Sequence, residues 1–96
     1  MNREQIIYLL KEFKKMNTDK FGILRLGIFG SYAREEAKSD SDLDIVVEIL
    51  NIDLFLLVHM KDELEKLFNT KIDIVRYRKR MNKYLKSHID EEAIYV

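Results

Sequence analysis

Apolar residues alternate between two periods along the chain. Ile6, Leu10, Phe13 and Met16 recur at helical spacing, with Ile7 and Leu9 widening the stripe, and predict a helix over residues 3–17. Asn17 to Lys20 read as a connection, and the run ILRLGIF at 23–29 reads as a strand. Gly30 and Ser31 interrupt that run. The helix-tolerant residues Ala33, Glu35, Glu36, Ala37 and Lys38 predict a short helix over 31–38. Ser39-Asp40-Ser41 is a polar turn.

The second half repeats the alternation. Residues 42–49 form a strand in which Leu43, Ile45 and Val47 point one way and Asp42, Asp44, Val46 and Glu48 the other. Asp53 is a candidate N-cap for a helix running to Phe68, with Leu56, Met60, Leu64, Leu67 and Phe68 on its apolar stripe. Asn69 suits the left-handed position beyond a helix end. Residues 71–76 read as a third strand and residues 80–87 as a last helix. The tail Ala93-Ile94-Tyr95-Val96 is apolar, and packs either back on the sheet or into a subunit interface. This order predicts one α/β (α+β) domain over residues 1–96, a small sheet flanked by helices.

Bulk properties narrow the function. At 96 residues the chain fits one small domain with a modest core. Lys plus Arg and Asp plus Glu balance at 17 each, so net charge argues against direct nucleic-acid binding and against an anionic membrane surface. Cysteine is absent, which removes disulfides and thiolate metal sites and fits a cytoplasmic location. The first residues lack the apolar core of a signal peptide, and the longest apolar run, Leu54 to Val58, is too short to span a membrane.

The chemistry concentrates between Gly27 and Glu48. Gly30-Ser31 stands where a strand passes into a helix, a junction that offers free backbone N–H groups to a phosphate. Glycine lets the backbone come close, and the Ser31 hydroxyl adds a donor. Asp42 and Asp44, two apart on a strand, share a face and repel each other unless a cation lies between them. Their oxygens suit Mg²⁺ completed by phosphates and water. Asp73, between Ile72 and Ile74, should face away from the core. If it shares the face of Asp42 and Asp44, a two-metal site results. Singly, a Gly-Ser turn is an ordinary turn and Asp-x-Asp an ordinary strand edge; the combination carries the argument.

That combination, Gly30-Ser31, ten residues, then Asp42-Leu43-Asp44, resembles the signature of the DNA polymerase β-like nucleotidyltransferase superfamily. The run FGSYAREEAKSDSDLDIVVE is similar to its minimal nucleotidyltransferase (MNT) branch, and the likeness extends to Asp73 and the tail. The resemblance implies a polymerase β-like fold. It implies that Gly30, Ser31 and Arg34 bind the nucleotide, and that Asp42, Asp44 and Asp73 are catalytic and hold Mg²⁺, two ions in all. The counterpart of Asp73 also helps activate the acceptor hydroxyl. ATP would be the substrate, and a HEPN-domain toxin the partner with which the chain assembles as antitoxin. AMP would pass to a toxin tyrosine with loss of pyrophosphate. The chain's small size fits an acceptor carried on a protein. One departure from the branch is Glu35, which stands where glycine often follows the arginine and adds negative charge near the expected triphosphate.

Competing readings remain at this level. A non-enzymatic antitoxin would neutralise its partner by contact alone. A small-molecule transferase is a third reading, and self-modification of one of the five tyrosines a fourth. The basic segment 76–86 reads as a phosphate or RNA patch, a solvated helix face or a docking surface for an acidic partner. His59 and His88 lack partners at metal-ligand spacing and read as structural or exposed.

Overall fold

In the computed structural model, which describes residues 1–96, four strands form one sheet in the order β3-β2-β1-β4. In chain order the elements are α1 (Arg3–Phe21), β1 (Ile23–Phe29), α2 (Gly30–Ala33), β2 (Leu43–Ile49), α3 (Leu54–Phe68), β3 (Ile72–Arg76), α4 (Lys83–Glu92) and β4 (Ile94–Tyr95). β1 pairs antiparallel with both β2 and β4, whereas β2 and β3 run parallel, joined by the α3 crossover. The expected mixed sheet flanked by helices is therefore present.

Helix ends follow local chemistry, with two extensions driven by packing. At the start of α1, Asn2 accepts from the Gln5 amide at 2.9 Å while Gln5 Oε1 accepts from the Asn2 amide at 3.0 Å, a reciprocal capping box. The helix continues four residues past the expected end at 17, through the segment expected to be a connection. Asn17 bonds back to the Phe13 carbonyl, and Phe21, buried, stacks on Phe13 at 6.1 Å between ring centroids. Met16, placed on the apolar stripe from its spacing, is 82% exposed, and Leu67 of α3 is 40% exposed. α3 begins and ends as its caps require: Asp53 accepts from the amides of Phe55 and Leu56, and Asn69 adopts φ 51°.

Two further boundaries differ from expectation. α2 is a single turn, Gly30–Ala33, instead of a helix over 31–38, because Glu35 adopts φ 60° and reverses the backbone. α4 starts at Lys83, capped by Asn82 through the Leu85 amide, and runs to Glu92 instead of spanning 80–87. Its polar tail stays helical because Ile89 is fully buried against Phe29, Val46 and Met81.

Each face of the sheet has its own core. Leu26, Ile28, Leu43, Ile45, Val47 and Ile72 pack beneath α1 and α3 with Ile6, Leu10, Met60 and Leu64. Phe29 and Val46 point to the opposite face and pack under α4. The tail resolves in favour of the sheet, since Gly27 pairs with Tyr95 and the Val96 amide donates to the Leu26 carbonyl at 2.8 Å. A Cβ at Gly27 would lie 2.5 Å from the Ile94 carbonyl oxygen, so only glycine lets β4 approach. α4 thus covers one face of the sheet, β4 extends the sheet beyond β1, and Asp42 and Asp73 stay exposed where β2 and β3 begin.

Candidate active site

The site forms where β1 ends and the parallel strands β2 and β3 begin. Asp44 is the register partner of Phe29 on one side and of Asp73 on the other. The Leu43 amide donates to the Lys71 carbonyl at 3.0 Å, fixing the starts of the two parallel strands together. The parallel register places Asp44 and Asp73 side by side on the face opposite Ile45 and Ile72. Asp42 lies two residues ahead, in the short segment between the Ser39-Asp40 turn and β2, not on the strand itself. Asp42 and Asp73 are exposed and Asp44 is half-buried.

Asp44 carries the electrostatic strain. Burial pushes its carboxyl up to about 6; the negative charges of Asp73 and then Asp42 push the same way, and Arg34 opposes them. Burial and gathered negative charge both favour the protonated form of Asp44. No three of the His, Asp and Glu side chains close into a metal cage by themselves. The donor set still fits Mg²⁺, which takes one or two carboxylates and completes its octahedron with substrate phosphates and water. Asp42, Asp44 and Asp73 offer only hard oxygen donors, as that ion requires.

Gly30 has a different necessity from the one its sequence suggests. Its φ is +73°, and a Cβ there would lie 2.1 Å from Asp44 Oδ2. The glycine therefore makes room for the carboxylate. Its own N–H is not free for phosphate: it donates to Glu92 Oε2 at 3.2 Å. Because α2 has only four residues, its dipole adds little. The partly exposed Ser31 becomes the turn's available donor. Arg34 reaches the same place, bound through Nη1 to both Glu92 oxygens at 2.9 and 3.0 Å and through Nε to Glu36 at 3.1 Å.

Glu92 is the site neighbour that sequence reasoning missed. Burial alone would push the Glu92 carboxyl up, but His88, the Gly30 N–H and Arg34 together outweigh this and hold it below its ordinary value. His88, which showed no metal-ligand spacing, lies 3.4 Å from Glu92 one turn earlier and stacks edge-on with Tyr84. The i,i+4 spacing of His88 and Glu92 is visible in the sequence. The contact between Glu92 and Gly30, 62 positions apart, is not.

The other candidates lie elsewhere. His59 is exposed on α3. The basic segment is partly neutralised: Lys86 pairs with Asp90 at 3.2 Å, and Tyr77 donates to the same carboxylate at 2.8 Å. Arg78, Lys79 and Arg80 remain exposed beyond β3.

A mixed sheet with an acid pair across its parallel strands and a Gly-Ser turn against the acids defines a nucleotidyltransferase class of enzyme. The chain belongs to the polymerase β nucleotidyltransferase family, whose model matches residues 4–96. It is 38% identical to the protein adenylyltransferase MntA of Thermococcus cleftensis, covering 97% of this chain and 94% of that protein. A solved structure assigned as a minimal nucleotidyltransferase superposes with a TM-score of 0.81 at 30% identity, covering 98% of this chain and 95% of the other. A chain of a solved complex of tri-AMPylated Shewanella oneidensis HEPN toxin with MNT antitoxin shares the fold at a TM-score of 0.61 and 20% identity, over 98% of this chain and 68% of that one. No helix is long and apolar enough to cross a membrane.

Proposed function

We propose that this nucleotidyltransferase is an antitoxin that transfers AMP from ATP to a tyrosine hydroxyl of a HEPN-domain toxin. The observation that carries the site assignment is the register pairing of Asp44 with Asp73 beside a turn with no space for a side chain. The choice of acceptor leans on the relatives, one named a protein adenylyltransferase and one complex containing an AMPylated HEPN toxin.

In this reading Ser31 and Arg34 bind the phosphates of ATP and hold the chain of phosphates in line. Asp42 and Asp44 hold Mg²⁺, which when bound withdraws charge from the phosphate oxygens and the departing pyrophosphate. Asp73, exposed at the mouth, receives the proton of the incoming tyrosine hydroxyl. The tyrosine oxygen forms a bond to the α-phosphorus as the bond to the bridging oxygen breaks. AMP stays on the toxin and pyrophosphate leaves. Positioning and electrostatics supply most of the acceleration in such transfers.

ATP labelled in turn at the α- and γ-phosphate tests the reaction type. With Mg²⁺ and the toxin, the α-label is expected on the toxin and the γ-label in free pyrophosphate. A γ-label on the toxin would mean kinase chemistry instead. Neither label on the toxin, with the toxin still silenced, would mean neutralisation by contact.

A further inference from the structure

Two of the three residues assigned to the nucleotide from the resemblance, Gly30 and Arg34, are held by one carboxylate. Glu92 closes α4 and faces the turn, with its side chain only 17% exposed. It accepts from the Gly30 N–H at 3.2 Å and takes Arg34 Nη1 across both its oxygens. His88, one turn earlier, approaches it at 3.4 Å.

A carboxylate in this place has two conceivable relations to a triphosphate. It could occupy the turn until the nucleotide displaces it, or it could stay and shape the turn for the nucleotide. The geometry favours staying. Displacement would break charge-assisted hydrogen bonds to two donors at once and leave a largely buried carboxylate beside Asp44. Arg34 does not need that displacement to reach phosphate. Its Nη1 and Nε are committed to Glu92 and Glu36, while Nη2 is left over, and the side chain is 41% exposed. A guanidinium gripped along one edge loses little further freedom when its other edge meets an anion.

Resting on the nucleotidyltransferase reading, we propose that Glu92 is a positioning residue for the nucleotide: it locks the Gly30 peptide and the Arg34 guanidinium so that Arg34 meets the triphosphate already oriented. The hydrogen-bond partners of Glu92 are Gly30, Arg34 and His88, and none of them is one of the three acids. It acts through Arg34 and the turn, and it ties both to the end of α4.

The test is MgATP affinity by calorimetry for the wild type, Glu92→Gln, Glu92→Ala, Arg34→Ala and the Glu92→Ala/Arg34→Ala double variant. Glu92→Ala is expected to weaken binding about tenfold, the scale of one charge-assisted hydrogen bond. Glu92→Gln keeps an acceptor for the Gly30 N–H and should lose only about threefold. In the Arg34→Ala background, Glu92→Ala should add little, which a general loss of stability would not reproduce. Affinity unchanged or improved in Glu92→Gln overturns the proposal, and improvement would mean a competing occupant. This holds even if Glu92→Ala does not fold. Wild-type protein that binds no MgATP would instead overturn the nucleotidyltransferase reading and the proposal with it.

Discussion

At the scale of single residues, Asp44 and Glu35 carry tension that the fold tolerates. Asp44 is raised to about 6, from an ordinary carboxylate value, by burial and by Asp73 and Asp42. Its protonated form is therefore favoured by folding. Stability from this group is present at low pH and is lost as pH rises through about 6. In the presence of a chelator, the Tm should fall between about pH 5 and about pH 7, above the range where Glu92 and Asp90 titrate. Asp44→Asn should flatten that slope, as should saturating Mg²⁺ with nucleotide in the wild type. A chelated wild type whose Tm rises over that interval would contradict this account of the acid cluster.

Glu35 gives a second prediction at this scale. Its φ is 60°, a region that costs a side-chain-bearing residue about 1–2 kcal/mol. Its ion pair with Arg3, at 3.5 Å and 63% exposed on the Glu35 side, offsets little of that. Glu35→Gly should thus change unfolding free energy by no more than about 1 kcal/mol in denaturant titration, because the relief and the entropic penalty of glycine oppose each other. It should also tighten MgATP binding by removing a carboxylate near Arg34. Weaker binding in Glu35→Gly would show that Glu35 helps the site.

At the scale of elements, the boundaries that could be read ahead are those set by local chemistry. Asp53 and Asn69 bracket α3 as capping rules require, the apolar run 23–29 is β1, and the alternation read over 42–49 gives β2 to within one residue. The boundaries that could not be read are set by contacts distant in sequence. Phe21 prolongs α1 by stacking on Phe13, and Ile89 keeps a polar segment helical by filling the gap over Phe29 and Val46. The candidate site divides in the same way. Asp44 and Asp73 stand out by their place on apolar strands and Asp42 by its spacing from Asp44, whereas Glu92 looks like one acid among several until α4 folds back on the turn.

The junction of β1 with β4 is where this dependence can be probed. Gly27→Ala places a methyl 2.5 Å from the Ile94 carbonyl oxygen, inside any tolerable contact. β4 should detach first, being two residues long and held at one edge. Amide exchange of Val96, whose N–H bonds to Leu26, should then accelerate by more than about tenfold, with α3 unaffected. Unchanged Val96 exchange would mean that β4 does not depend on the space at Gly27.

At the scale of the whole molecule, the two cores have separate tasks. The larger one, between the sheet and α1 with α3, holds the strands that present Asp44 and Asp73. The smaller one holds α4 over the face that carries the acids, where Asp42 and Asp73 stay exposed. The acids thereby lie at an open edge that a large acceptor can approach. Such an edge suits a hydroxyl carried on another protein better than a small molecule needing an enclosed pocket. Zero net charge leaves the approach of that protein to local chemistry, without a long-range field.

The most direct test is the intact mass of the HEPN toxin after incubation with this protein, ATP and Mg²⁺, beside an Asp42→Asn/Asp44→Asn double variant. The account predicts a gain of one or more AMP units with the wild type and at least about a hundredfold slower gain with the variant. An equal gain with both proteins would remove the acids from catalysis. No gain with either, while both silence the toxin, would make this fold a binding module and contradict the central claim.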